Sequence, residues 1–221
     1  MGYLLILLIM AIPAYLLGST NGAIITSKYL YRKDIREYGS GNPGLTNFYR
    51  VFGKGGSLLV IAIDVFKTIA PVIFGGWLFA RYTNSAVSED WILRRFFDVS
   101  LLGMTISGFF VMLGHCFTVF YGFKGGKAVM TVGAILLVLD WRIALISWGM
   151  FIIITAITRF VSLGAIIGAA AFPISQYLLG LGDRLEITVS VMCVLLLISR
   201  HTPNIKRLLK GEESKFEFHT K

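Results

Sequence analysis

The sequence predicts an all-α, polytopic membrane protein with seven transmembrane helices, its N-terminus outside the cell and its C-terminus in the cytoplasm. Three observations lead to this prediction. Apolar residues make up 56% of the 221 positions, charged residues make up only 15%, and the mean hydropathy is +0.74. A soluble domain of this size could not bury so much apolar sequence. No polar stretch is long enough to build a second core, so we expect residues 1–221 to form a single membrane domain.

The apolar stretches define the predicted spans, because a helix needs about 20 mainly apolar residues to cross the hydrocarbon core. In chain order they are 3–27, 58–79, 96–120, 128–139, 143–157, 161–179 and 187–198. The first stretch has no basic residue ahead of it, which favours a membrane span over a secretory signal. The fourth is short, and an alternative with six spans joins it to the fifth through Asp140, Trp141 and Arg142.

The basic residues favour seven spans over six. With seven, one face of the membrane receives fifteen of the 21 lysines and arginines and the other face receives five; six spans would leave nine against ten. Lysine and arginine are retained in short cytoplasmic loops. We therefore expect the more basic face, which also carries the C-terminus, to be cytoplasmic.

The first cytoplasmic loop is rich in glycine and in hydrogen-bond donors. Residues 39–47 read GSGNPGLTN, and Arg50 follows. Glycine allows backbone N–H groups to converge on an anion, and hydroxyl, amide and guanidinium groups add donors. The loop therefore favours a phosphate ligand, with an ordinary flexible turn as the alternative. The candidate ligands are Ser40, Gly41, Asn42, Thr46, Asn47 and Arg50.

The loop after the third span carries two lysines around a glycine pair, as Lys124-Gly125-Gly126-Lys127. It is not the nucleotide-binding P-loop, because Ala128 stands where that motif requires serine or threonine. We expect all four residues to contribute to an anion site. The alternative is a pair of lysines that reach the membrane surface on either side of a turn.

Polar residues within the spans and at their ends complete the candidate set. Asp64 and Lys67 lie three positions apart on one face of the second span. A lone charge at that depth costs about 2.5–3.5 kcal/mol, so we expect the two side chains to neutralise each other or to pair with a loop. His115 is expected to pack beside the site. The remaining candidates on the cytoplasmic side are Arg159, Ser162, Arg200, His201 and Asn204.

These motifs together resemble the PlsY family, the acyl-phosphate-dependent glycerol-3-phosphate acyltransferases. The matching segments are 39–53 with Asp64 and Lys67 behind it, 114–129, 159–163, and 200–208 with a following acid, Glu212 or Glu213. The chain departs from the family pattern at Thr118, where proline is usual, and at Ala128, where glycine is usual. These departures put the geometry of that loop in question more than membership.

The resemblance implies transfer of a fatty acyl group from acyl phosphate to the 1-hydroxyl of glycerol 3-phosphate, a step of phospholipid biosynthesis. It places the protein in the bacterial inner membrane, with an active site that faces the cytoplasm. Its expected partners are the two substrates and membrane lipids, without nucleic acid, metal or cofactor. A small-anion transporter or an inactive membrane scaffold is the alternative. The implied catalytic residues are Ser40, Arg50, Lys127, His201 and Asn204, and the implied residues that shape the site are Asp64, Lys67, His115 and Arg159.

Overall fold

The computed structural model describes residues 2–83 and 100–216. Within these ranges the chain forms ten α-helices and two short 3₁₀ helices and contains no β-strand, which confirms the all-α class. The 3₁₀ helices are Ile35–Glu37 and Val119–Tyr121. The α-helices are α1 (Tyr3–Gly18), α2 (Gly22–Tyr31), α3 (Leu45–Phe52), α4 (Ser57–Thr83), α5 (Leu101–Cys116), α6 (Val129–Leu139), α7 (Trp141–Thr158), α8 (Val161–Leu178), α9 (Arg184–Arg200) and α10 (Thr202–Lys210).

Five stretches among the described residues are long and apolar enough to cross a membrane. They are α1 together with α2, α4, α5 with the turn that follows it, α7 and α8. The pair α9 and α10, bent by 59°, makes a sixth if it counts as one span. Helix α6 has 11 residues, about 17 Å at 1.5 Å per residue, which is short for a hydrocarbon core of about 30 Å. The count of seven and the orientation of the termini stay predictions, and positions 96–99 of the third predicted stretch lie outside the described residues.

Helices α6 and α7 are separate and run antiparallel. Asp140 between them has an extended backbone, and its carboxylate accepts a hydrogen bond of 2.8 Å from the Arg142 N–H at the start of α7. Gly133 of α6 faces Trp148 of α7, because a Cβ placed on Gly133 would lie 3.1 Å from Trp148 Cζ2. Two positions almost equally far from Asp140 can meet only if the chain reverses there. The alternative of one continuous helix through Asp140 is therefore wrong.

Helix α5 is the centre of the described bundle and packs against α1, α4, α6 and α9. Small residues make this packing close. A Cβ on Gly103 would lie 2.7 Å from the Gly75 carbonyl oxygen of α4, and a Cβ on Gly114 would collide with the Tyr15 carbonyl oxygen of α1. In lipid the hydrophobic effect does not drive helices together, so close backbone packing is a main source of stability for helix pairs. The end of α5 that carries His115 is thereby fixed beside α1.

The first predicted stretch is broken at residues 19–21, between α1 and α2. Asn21 caps α2 by accepting a hydrogen bond of 2.9 Å from the Ile24 N–H. The Lys67 ammonium donates to the freed Thr20 carbonyl at 2.6 Å, and the Gly22 N–H donates to Asp64 Oδ1 at 3.1 Å. Backbone groups released inside a membrane must find partners within the protein. The two buried charges of α4 satisfy that requirement at this break.

Candidate active site

The predicted cytoplasmic loops surround two adjoining cavities. The inner cavity has a volume of about 470 Å³ and the outer one about 880 Å³. Ser40, Asn42, Lys127 and Arg207 line both. Segments that are far apart in the sequence, from residue 40 to residue 214, therefore contribute to one connected site.

Most of the predicted site residues line these cavities. The outer cavity is lined by Ser40, Gly41, Asn42, Lys124, Gly125, Lys127 and Arg200 from the predicted set. The inner cavity is lined by Ser40, Asn42, Thr46, Asn47, Arg50, Asp64, His115, Lys127, Ser162, His201 and Asn204. Gly126, Lys67 and Arg159 line neither cavity. All five residues implied as catalytic thus border the inner cavity.

The first loop is held in shape by Asn47. Its Oδ1 accepts a hydrogen bond of 2.9 Å from the Ser40 N–H, and its Nδ2 donates to the Tyr38 carbonyl at 3.0 Å. The Asn47 amide is thereby engaged in the loop itself. The Ser40 hydroxyl and the Arg50 guanidinium, by contrast, have no protein partner within residues 2–83 and 100–216 and are exposed at the cavity. They are the donors that this loop offers to an anion.

The glycine amides are also engaged within the chain. The Gly41 N–H donates to the Tyr38 carbonyl at 3.0 Å, the Gly125 N–H to Cys116 at 3.2 Å and the Gly126 N–H to His115 at 3.0 Å. This corrects the expectation that these backbone amides point at a phosphate. These three amides are therefore not available to a ligand, and the glycines allow the loops to approach one another closely.

Lys127 lies where the two cavities meet. Its ammonium is half-buried and donates a hydrogen bond to Asn204 Oδ1. Burial lowers the pKa of Lys127 from its ordinary value to about 8. The next residue, Ala128, adopts a left-handed conformation with φ 58° and is the N-cap of α6. The position where the family usually has glycine is therefore one at which a side chain is strained.

Glu213 in the C-terminal tail ties together the far side of the inner cavity. Its Oε1 accepts hydrogen bonds from Ser162 Oγ at 2.6 Å and from Asn204 Nδ2 at 2.7 Å, and its Oε2 accepts one from Arg207 Nε at 2.7 Å. Burial raises the pKa of Glu213, but these three hydrogen bonds outweigh it, and the net effect is a lowered pKa. Glu213 and Arg207 were absent from the predicted ligands, although both stand in the last motif of the sequence.

Arg159 contributes through its backbone rather than its side chain. It ends α7 in the left-handed conformation, with φ 64°, and its side chain is exposed. Its carbonyl accepts a hydrogen bond of 2.8 Å from the Phe216 N–H, and the Phe216 ring stacks on Tyr49 with centroids 6.0 Å apart. These contacts hold the tail that carries Glu213 across the beginning of α8.

His201 lines the inner cavity. It is buried at the junction of α9 and α10, and its Nδ1 lies 2.9 Å from the Leu197 carbonyl oxygen. Because a carbonyl can only accept, we assign the proton to Nδ1. In the neutral ring Nε2 is then a hydrogen-bond acceptor, suited to a substrate hydroxyl.

Asp64, Lys67 and His115 form a buried chain behind the inner cavity. Lys67 Nζ lies 2.7 Å from Asp64 Oδ1 and 2.9 Å from His115 Nδ1. Of the two alternatives expected for these charges, mutual neutralisation is confirmed. Since the ammonium donates to Nδ1, His115 carries its proton on Nε2. That atom lies against Gly126, where any Cβ would collide with it.

Two further arginines connect the loops of the outer cavity. Arg36 donates to Asp34 at 2.7 Å and to the Tyr121 carbonyl at 3.2 Å, and its guanidinium holds the pKa of Asp34 well below the usual range. Arg200 donates to the carbonyls of Gly125 and Gly126, each at 3.3 Å. The cavities are therefore rich in cations, and the carboxylates of Asp34 and Glu213 are already paired. Such a site favours phosphate groups.

Comparison with known proteins gives one consistent result. The sequence model of the glycerol-3-phosphate acyltransferase family matches residues 8–211. Glycerol-3-phosphate acyltransferases of Staphylococcus saprophyticus and Staphylococcus carnosus are 37% and 35% identical over 214 residues, which cover 97% of this chain and 100% of each relative.

Solved structures agree with this result. The crystal structure of PlsY (YgiH), an integral membrane glycerol 3-phosphate acyltransferase, in its glycerol 3-phosphate form has a TM-score of 0.80 at 30% identity, covering 96% of both chains. The lysphosphatidic acid form of the same protein has a TM-score of 0.78 at 29% identity, covering 96% of this chain and 95% of that one. The resemblance to PlsY inferred from the motifs is confirmed. The chain therefore belongs to the glycerol-3-phosphate acyltransferase family of integral membrane proteins.

Proposed function

We propose that this acyltransferase uses acyl phosphate as its donor and transfers the acyl group to the 1-hydroxyl of glycerol 3-phosphate, releasing 1-acylglycerol 3-phosphate and inorganic phosphate. Related PlsY has been crystallised in glycerol 3-phosphate and lysphosphatidic acid forms, which supports this acceptor and this product. One observation carries the proposal. Lys127 stands where the two cation-rich cavities meet, so one ammonium group can reach two phosphate-bearing substrates.

The chemistry asks the protein mainly for positioning and charge stabilisation, because an acyl phosphate is already activated. The glycerol oxygen attacks the carbonyl carbon, and the bond between that carbon and the phosphate oxygen breaks. The proton of the hydroxyl leaves with the phosphate, so no dedicated base is required. Fixed cations stabilise charge that develops on the carbonyl oxygen and on the leaving phosphate.

Individual side chains take defined parts in this scheme. The Lys127 ammonium stabilises the developing negative charge, and His201 Nε2 accepts the hydrogen bond of the attacking hydroxyl. Ser40, Arg50 and Asn204 hold the phosphate groups. Thr46 and Lys124 supply further donors at the cavity walls, and Ser162 holds Glu213 in place through its hydrogen bond. The Gly41, Asn42, Asn47, Gly125 and Gly126 positions shape the loops around them.

The proposed location is the bacterial inner membrane, with the cavities open to the cytoplasm. The excess of basic residues on the predicted cytoplasmic face supports this orientation, and glycerol 3-phosphate, a water-soluble anion, would enter from that side. A cysteine introduced at exposed Lys54 and labelled in sealed right-side-out vesicles provides the check. We expect that cysteine to be protected from an impermeant reagent. Labelling by the reagent would show that the loop lies outside and would contradict the proposed orientation.

The donor is tested with the purified protein. Palmitoyl phosphate and glycerol 3-phosphate are expected to give stoichiometric phosphate release and 1-acylglycerol 3-phosphate, whereas palmitoyl coenzyme A is expected to give no product. Activity with the coenzyme A ester alone, or with neither donor, would overturn the proposal. Arg50→Ala is expected to lower turnover by about tenfold or more, while Lys54→Ala, a matched change at an exposed residue outside both cavities, keeps wild-type turnover.

A further inference from the structure

An apolar groove adjoins the inner cavity and extends along α6 away from the charged loops. Its volume is about 100 Å³, and residues of α6, α7, α8 and α9 line it. Among these residues only Ser147 and Trp148 carry a polar side-chain nitrogen or oxygen. Val129, Met130 and Phe151 line both the inner cavity and the groove. The polar site therefore leads directly into an apolar one.

Two glycines allow the helices around this groove to pack closely. A Cβ on Gly133 would lie 3.1 Å from Trp148 Cζ2, so the indole already fills the space beside α6. A Cβ on Gly168 would lie 2.8 Å from the Ser147 carbonyl oxygen, which shows how closely α8 approaches α7. Trp148 is 37% exposed, and its ring forms a wall between the groove and the outside of the bundle. Any side chain at position 133 would press on that wall.

We propose that the groove binds the acyl chain of the donor and that Gly133 and Trp148 determine which chain lengths are used. This inference rests on the proposed function. Gly133 lies four residues beyond Val129, about 6 Å along the helix. A staggered alkyl chain with bonds of about 1.5 Å advances about 1.3 Å per carbon. A long chain that leaves the inner cavity therefore reaches Gly133, and a four-carbon chain ends before it.

The test compares kcat/KM for palmitoyl phosphate and butanoyl phosphate in the full-length protein. Gly133→Leu blocks the groove and is expected to lower kcat/KM for palmitoyl phosphate by about tenfold or more, since a single methylene in an apolar pocket is worth about 10–200-fold. The value for butanoyl phosphate is expected to stay unchanged. Gly149→Leu is the matched control on α7, because a Cβ there has no neighbour within 4 Å, and it should change neither value.

A second variant protects the test against a folding defect. In Gly133→Leu/Trp148→Ala the leucine can enter the space left by the indole, so use of palmitoyl phosphate is expected to recover. If Gly133→Leu does not fold, Gly133→Ala provides the same comparison, with a smaller loss confined to the long donor.

The possible failures are distinguishable. If the unaltered protein uses both donors and the Gly133 variants lower both values equally, or neither, the groove does not bind the acyl chain. If the unaltered protein uses neither acyl phosphate, the proposed function fails, and this inference fails with it.

Discussion

Removal of the Lys67 ammonium should strongly destabilise the protein, because three groups depend on it. It lies 2.7 Å from Asp64 Oδ1, 2.6 Å from the Thr20 carbonyl oxygen and 2.9 Å from His115 Nδ1. Lys67→Met leaves the Asp64 carboxylate, which is 1% exposed, with the Gly22 N–H as its remaining partner. Breaking a buried ion pair on one side costs about 3–5 kcal/mol.

This cost can be measured as a shift in Tm. For a chain of this size 1 kcal/mol corresponds to about 2–4 °C, so Lys67→Met should unfold about 6–20 °C below the wild type in one detergent at one scan rate. Asp64→Asn/Lys67→Met removes the orphaned charge as well and should be more stable than Lys67→Met alone. Lys54→Met, at an exposed loop position, should leave Tm unchanged. A Lys67→Met protein that unfolds at the wild-type temperature, or a double variant no more stable than the single one, would refute this account.

Three further outcomes are expected. Glu213→Gln weakens the hydrogen bonds that hold Ser162 and Asn204 at the inner cavity and removes the charge facing Arg207. It should reduce kcat/KM for glycerol 3-phosphate by about tenfold. Glu212→Gln is the control, and equal effects of the two substitutions would contradict the role of Glu213. Ala128→Gly relieves a left-handed alanine, worth about 1–2 kcal/mol, but it removes a buried methyl worth about 0.8 kcal/mol. Tm should therefore rise by up to about 5 °C, and a fall would contradict the assignment of strain. Because the pKa of Lys127 is lowered to about 8, its cationic form is lost as pH rises through that value. The kcat/KM of the wild type should therefore fall above pH 8, whereas the kcat/KM of Lys127→Arg should stay constant to higher pH. Identical pH profiles of the two proteins would exclude Lys127 as the titrating group.

The sequence predicted those features that local chemistry determines. Buried charges need partners, so the spacing of Asp64 and Lys67 at i and i+3 on an apolar helix is enough to predict that they pair. The same holds for the clustering of basic and glycine-rich loops on one face. The five residues implied as catalytic came from the family resemblance, and all five border the inner cavity.

Contacts across long stretches of sequence could not be predicted in this way. Glu213 meets Ser162 across 51 positions, and no periodicity links a tail residue to the first turn of α8. The engagement of the Gly125 and Gly126 amides was missed for the same reason, because it depends on how the loop folds back on the end of α5. A glycine pair predicts conformational freedom, but it does not say which carbonyls the two N–H groups will meet.

Hydropathy predicts which stretches are apolar enough to lie in the membrane, but it does not predict where a helix breaks or the chain reverses. The first stretch is predicted as one span although it contains Ser19, Thr20 and Asn21. The helix breaks at these residues, and buried partners from α4 satisfy the backbone groups that the break frees. At Asp140 the chain reverses because the Asp140 carboxylate caps the start of α7. Composition alone would allow α6 and α7 to form one helix.

The cavities carry more positive than negative charge, and this excess favours the binding of phosphate groups. Among the described residues, Asp34, Asp64 and Glu213 are each paired with a cation, Arg36, Lys67 and Arg207 respectively. Within residues 2–83 and 100–216, the cations at the cavities that lack a carboxylate partner are Arg50, Lys124, Lys127 and Arg200. Glu37, an exposed carboxylate of the outer cavity, offsets one of these four charges. A phosphate monoester carries about −1.5 to −2 at neutral pH, so two bound phosphate groups bring about −3 to −4. The excess positive charge is therefore close to what the two proposed substrates, acyl phosphate and glycerol 3-phosphate, would neutralise together. Binding of either one alone would leave the site attractive to the other.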